Sequence, residues 1–250
     1  MLTVASDAAL PLGATAGLSM VAGLLYTKRL SGDNRDELLK LLVAASANVY
    51  EHANDEGYEY DEKRFLGSRL RRTDVGSRGS GYGYVRYGAY QVVDGPYAGK
   101  TILAYEGTFN SDQKWQDFAL MLGQFRATAD TAEALYRHFR PDFITGHSLG
   151  GCTAEVICSR TGCPGAAFNS PGPWSPFVDM NIVDGNKYDG VEFEIHLAVH
   201  DPLVGLANVS AGGRAHGHIG SESSGALYWH YNISGQHAIT AMVADIGTLS

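Results

Sequence analysis

Cysteine is scarce. The 250-residue chain has three, Cys152, Cys158 and Cys163. An odd number confined to one short stretch makes no disulfide framework, and the spacing lacks the paired C-x-x-C of a zinc site. The three read as small buried apolar side chains in and after one helix, with a Cys158–Cys163 bridge as the weaker alternative. Basic residues are also in short supply, 19 Lys and Arg against 27 Asp and Glu, for a net charge of −8. Such a chain is poorly suited to a nucleic-acid backbone as its main partner. Its one basic cluster, Arg69-Leu70-Arg71-Arg72, reads as part of a solvated loop.

A long, strongly apolar run is missing too. No residue between Asp7 and Lys28 is charged, yet Gly, Pro, Ser and Thr dilute that segment below what a membrane-spanning helix needs. No basic residue precedes it, as one would in a secretory signal, so extracellular and cytoplasmic settings both stay open. Residues 1–30 are expected to be an apolar appendage that packs on the domain or stays loose, with transient contact at a lipid surface as the alternative. Repeats, long linkers and composition breaks are absent, so residues 31–250 read as one domain. With 44% hydrophobic and 18% charged residues, that domain can bury a sizeable core. Oligomeric state is not readable.

What is present is an alternation of strand-like and helix-like segments. "NRDELLKLLVAASANVYEHAND", residues 34–55, has Asn34 and Glu37 in capping-box spacing. Leu38, Leu41, Leu42, Ala45 and Val49 follow on one helical face. Residues 54–81 are polar and Gly-rich and read as loop. Residues 81–108 read as strand, Asp94-Gly95-Pro96 turn and strand, and residues 116–139 as a helix. "DFIT", "GAAFN" and "VEFEIHLAVH" read as further strands, with a helix from Leu149 to about Arg160. Strands and helices alternating in this way predict an α/β fold whose mostly parallel, mixed sheet carries helices on both faces.

The segment "FITGHSLGGCTAE", residues 143–155, carries the chemistry. A serine hydroxyl is a weak nucleophile unless a base lies beside it. A strand-turn-helix elbow lifts such a hydroxyl off the sheet, and Gly146 and Gly150 supply the small neighbours that the tight turn needs. Ser148 is therefore the candidate nucleophile, and the N–H of Leu149, at the helix start, is a candidate oxyanion donor. In the chain order acid then histidine, Asp201 lies just past the strand "VEFEIHLAVH", and His237 opens the helix-like "AITAMVADI". Asp179, Asp184 and Asp189 lie in loop-like sequence and rank below Asp201. His196 reads as a core or face residue, His216, His218 and His230 read as loop residues, and His230 is the main rival of His237. A second oxyanion donor is expected after an earlier strand, where Gly107 permits a sharp turn before Thr108.

Several segments together resemble the fungal-type class 3 lipases. "AYEGT" is similar to that family's F-R-G-T or F-R-G-S strand end, with Glu106 in place of its Arg. "TGHSLGG" matches its nucleophile motif. "AAFNSPGPW", "HDPLVG" and "HIGSESSGALYWHY…GQHAIT" are similar to its next strand, its acid segment and its closing stretch. The resemblance covers about residues 36–245. It implies an α/β-hydrolase fold, a Ser148–Asp201–His237 triad and an oxyanion hole from Thr108 and Leu149. It further implies an acyl ester or lipid substrate, no cofactor and no metal, and a lid over Phe109–Phe118. That lid sequence is polar, whereas a cover for a large apolar patch should be apolar. A soluble esterase, a phospholipase or an acyltransferase with the same triad are the alternatives. A non-catalytic binding protein on the same fold is a more distant one.

Overall fold

A computed structural model of the chain describes residues 32–51, 61–107, 125–173, 192–203, 217–219 and 226–249. Thr108, the lid segment, residues 116–124, the aspartates 179, 184 and 189, His216 and residues 1–30 lie outside them. The elements are α1 (Gly32–Asn48), β1 (Leu70–Arg78), β2 (Val85–Val92), β3 (Thr101–Tyr105), α2 (Phe125–Phe139), β4 (Phe143–His147) and α3 (Leu149–Thr161). They continue with β5 (Gly165–Phe168), β6 (Phe193–Ala198), β7 (Leu227–His230) and α4 (Ile239–Ile246). Among the described residues the strands form one seven-stranded sheet in chain order. The β1–β2 and β2–β3 pairs are antiparallel, and every later pair is parallel.

The strand order dictates where the helices go. Parallel strands laid down in sequence by right-handed crossovers place the connecting helices on one face. There α2 and α3 lay Ala132, Leu135, Ala154 and Ile157 against Leu103, Ile144, Ala167 and Ile195. The other face has to be covered by elements that precede or follow the parallel strands. It is covered by α1 and α4, which bring Leu41, Leu42, Ala45, Met242 and Val243 onto Ile102, Ala104, Phe143 and Phe168. Covered on both faces, β3 to β5 are buried almost throughout, as short apolar strands of a parallel sheet should be. The mixed, mostly parallel α/β fold expected from the alternation is the fold observed.

Several boundaries differ from expectation. α1 begins at Gly32, ahead of Asn34, and ends at Asn48 rather than continuing to residue 55. The Asn48 amide stops it by donating to the carbonyls of Glu62 (3.1 Å) and Arg64 (2.8 Å), which pins the returning chain against the helix end. The expected solvated loop around Arg69–Arg72 runs into edge strand β1. Its polar sequence hid it, because an edge strand with one solvated side needs few apolar residues. Its arginines are engaged: Arg69 pairs with Glu37 at 2.6 Å, Arg71 meets Gln91, and Arg72 donates to the Glu51 carbonyl at 2.6 Å. His230, expected in a loop, ends strand β7. The three cysteines are free and buried, with no Cys158–Cys163 bridge.

Leu41 sits at the centre of the α1 layer with no exposed surface. Its truncation leaves a cavity between α1 and the sheet that neighbours held by β4 and β5 fill only in part. Leu41→Ala is expected to lower unfolding stability by about 2–5 kcal/mol in denaturant titration; a loss under about 1 kcal/mol would show that this layer is not close-packed.

Candidate active site

β4 delivers the chain to Ser148 and α3 carries it away. Ser148 absorbs the reversal at φ 58°, ψ −126°, a conformation that costs roughly 1–3 kcal/mol for a residue with a side chain. Both of its peptide groups are anchored. The Ser148 N–H donates to the Phe168 carbonyl at 2.9 Å, and the Ser148 carbonyl accepts the Cys152 N–H at 3.1 Å. The flanking glycines are required sterically. A Cβ on Gly146 would lie 2.2 Å from the Gly150 carbonyl oxygen, and one on Gly150 would lie 2.1 Å from that of Tyr105.

The ends of β6 and β7 bring up the other groups. After β6 the chain turns through His200 at φ 60°, which leaves Asp201 at the strand's C-terminal end, fully buried. One carboxylate oxygen of Asp201 accepts the Leu203 N–H at 2.8 Å, and the other lies 2.7 Å from His237 Nδ1. On the far side of the ring, His237 Nε2 is 3.0 Å from Ser148 Oγ. The loop carrying His237 is fastened to the β6 end by the Gly235 N–H, which donates to the Val199 carbonyl at 2.7 Å. The rival, His230, is engaged elsewhere: its Nδ1 is 2.6 Å from Asp245 and its Nε2 is 2.9 Å from His196 Nδ1. His196 is buried in the sheet layer.

Ser148, Asp201 and His237, read from sequence, thus come together in one hydrogen-bonded line. Leu149 is the first residue of α3, and its N–H is among those that have no acceptor within a helix. Its side chain is buried among Phe125, Cys152, Val156 and Leu203. Gly107 passes against the elbow, so that a Cβ there would lie 3.0 Å from Ser148 Cβ. Thr108, the next residue, lies outside the described residues. Among the described residues, no group of three or more His, Cys, Asp or Glu side chains is arranged to hold a metal ion.

Other residues around the site were not singled out from sequence. Asn169, at φ 45° after β5, donates through its amide to the backbone carbonyls of Gln236 (3.2 Å) and His237 (3.1 Å). Its carbonyl accepts the Ala198 N–H at 2.8 Å, so a single side chain ties the β5 end, the β6 end and the His237 loop. The signal available was an Asn directly after an apolar strand, a residue that tolerates the left-handed region. Glu155, buried within α3, accepts from Ser170 Oγ at 2.5 Å and the Ile219 N–H at 3.1 Å, and His218 Nδ1 lies 3.0 Å away. His218 lies in a bend outside the helices and strands, as expected of a loop residue, but it is buried there as an interior partner. The clue was a carboxylate inside the apolar run "CTAEVIC".

A family model described as phospholipase-like, a Tle-like phospholipase domain, matches residues 42–191, more than half of the chain. The matched stretch holds the sheet from β1 to β5, the elbow and α3, and it ends before Asp201 and His237. This is a lipase-type family, and the match is not specifically to the fungal class 3 lipases that the motifs resemble. No curated protein matches the chain.

Glu106, where the fungal family's Arg stands, directly follows β3. Burial pushes its carboxyl up to about 7, against the pull of Arg86, whose guanidinium is 3.6 Å away. A carboxyl whose folded pKa lies above its unfolded value stabilises the fold fully below the unfolded pKa, and that stability is lost as pH rises through the folded one. The window here runs from about 4.5 to about 7. Glu106→Gln is expected to melt progressively higher relative to the wild type as pH is raised from 5 to 8; a constant difference in melting temperature across that range would show that Glu106 does not titrate there.

Proposed function

The chain belongs to the family of Tle-like phospholipase domains, and on that premise we propose that it is a serine hydrolase cleaving a carboxylic acyl ester of a phospholipid through an acyl-enzyme. The observation that supports this most is the unbroken line Ser148 Oγ, His237 Nε2, His237 Nδ1, Asp201, with contacts of 3.0 and 2.7 Å. That arrangement serves attack on an acyl carbonyl. The proposal takes residues 31–250 as the hydrolase domain and residues 1–30 as its appendage.

In this reading His237 Nε2 takes the Ser148 proton as Oγ attacks the carbonyl carbon. The developing oxyanion is held by the backbone N–H of Leu149 at the start of α3 and by Thr108. Asp201 keeps the hydrogen on Nδ1, so that Nε2 faces serine as an acceptor, and it stabilises the imidazolium that forms. His237 then returns the proton to the leaving alkoxide of the lysophospholipid. Water, activated by the same ring, releases the fatty acid. The strained elbow and the anchored ring hold serine and base at reacting distance before substrate arrives, which removes orientation entropy from the barrier.

The family match favours phospholipid over triacylglycerol, and the polar sequence of residues 109–118 fits a lid that need not hide a large apolar patch. A lipase or simple esterase acting on other acyl esters, and acyl transfer to an alcohol acceptor, would use the same three residues. Phosphatidylcholine vesicles, a triacylglycerol emulsion and a p-nitrophenyl ester, assayed with and without an added alcohol, separate these outcomes. Equal amounts of fatty acid and lysophospholipid are expected. Ser148→Ala should lose on the order of 10³-fold or more in turnover, and Asp201→Asn should fall in the same range. Release of a phosphorylated headgroup, or full activity in Ser148→Ala, would refute the proposal.

A further inference from the structure

His147 precedes the nucleophile, and the two-residue period of β4 turns its side chain away from α2 and α3, toward the α1 face, on the same side as Phe143 and Thr145. There it meets Tyr50, just past the end of α1. His147 Nδ1 is 2.9 Å from Tyr50 Oη, and His147 Nε2 is 2.7 Å from the backbone carbonyl of His237. Tyr50 Oη in turn accepts the Gly107 N–H at 3.1 Å. The two imidazole rings lie 4.8 Å apart.

The direction of every hydrogen in this chain is fixed. The Gly107 N–H can only donate, so Tyr50 Oη accepts there and sends its own hydrogen to His147 Nδ1. The His237 carbonyl can only accept, so His147 carries its hydrogen on Nε2. Burial favours the neutral forms that this needs. It pulls the His147 imidazole down to about 3 and pushes the Tyr50 hydroxyl well up. His147 is buried, and Tyr50 packs half-buried against the apolar cluster under α1. Each end of the chain terminates on the backbone of a site segment: Gly107, next to Thr108, at one end and His237 at the other.

We propose that Tyr50 and His147 are positioning residues, a one-way hydrogen-bond relay that sets the spacing between the backbone of Gly107 and the backbone of His237 around Ser148. The inference rests on Ser148 and His237 acting as nucleophile and base. Neither relay residue touches substrate. A hydroxyl lost at Tyr50 leaves the Gly107 N–H and His147 Nδ1 buried without their partner. Both segments are then free to drift, and displacements of about 1 Å at a site of this kind cost roughly 10²-fold in rate.

The test is steady-state kinetics on phosphatidylcholine vesicles with Tyr50→Phe, His147→Gln and the double variant. Ser148→Ala is run in parallel, and the folded fraction of each protein is checked by its melting curve. His147→Gln keeps an amide donor toward His237, but its carbonyl oxygen lies one bond farther from Cβ than Nδ1 and is displaced from the position that accepts from Tyr50. The relay predicts that kcat falls about tenfold or more in each single variant while KM stays within about twofold. It also predicts that the double variant is no worse than the poorer single one, because both changes break the same chain. A Tyr50→Phe variant within about twofold of wild-type kcat, losses that multiply in the double variant, or losses that only track the unfolded fraction would each overturn the relay while leaving the hydrolase reading intact if Ser148→Ala is inactive. Activity persisting in Ser148→Ala would overturn that reading and the relay with it.

Discussion

Between β4 and α3 the chain reverses within a single residue, and Ser148 takes the whole turn at φ 58°, ψ −126°. Nothing local favours that conformation in a residue with a Cβ, so the surroundings have to impose it. They do so from three directions. β5 holds the Ser148 N–H, the first turn of α3 holds its carbonyl, and β3 lies so close that Gly150 has no room for a side chain. The elbow therefore exists only when β3, β4, β5 and α3 are all in place. It reads out the correct assembly of the sheet centre.

The same requirement orders the rest of the molecule. A sheet laid down strand by strand leaves one face bare, and the closing of that face by α1 and α4 brings the two chain segments that frame the site into contact. α4 starts two residues after His237, and Tyr50 follows two residues after α1 ends, so the covering of the sheet and the placing of His237 are one event. Polar groups inside this construction form connected sets, as buried polar groups must. Asn169 links the ends of β5 and β6 to the His237 loop. Glu155 gathers Ser170, His218 and the Ile219 N–H. The pair His196–His230 runs between Glu194 and Asp245, and Arg35 closes on Glu194 at 2.6 Å.

Sequence reading reached the parts of this that depend on local pattern. The placement of Ser148 was legible because its glycines are forced by backbone contact, and that of Asp201 and His237 because each lies within three residues of the end or start of a regular element. The parallel strands were legible because burial on both faces leaves a short, unbroken apolar run. Edge strand β1 and the strand ending at His230 were not, since a half-solvated strand carries polar residues that read as loop. Nor were Tyr50, Asn169 and His218. A buried polar side chain gains its role from a partner about fifty to a hundred residues away, as Tyr50 does from His147, and no periodicity records that distance. The family choice shifted for a related reason. The G-x-S-x-G elbow and its neighbours are shared by many lipases, so the motifs pointed to lipid-ester chemistry without separating a class 3 lipase from a Tle-like phospholipase domain.

The central claim is that Ser148 alone is made nucleophilic by the assembled sheet and the His237–Asp201 pair. A fluorophosphonate bearing a long alkyl chain tests it directly, because such a reagent reacts with an activated serine and leaves ordinary hydroxyls untouched. After incubation with the folded protein, intact-mass and peptide mass spectrometry should find one adduct per chain, on the peptide containing Ser148, and none after unfolding in denaturant beforehand. An unmodified Ser148 in folded protein, or an adduct on another serine, would contradict the account.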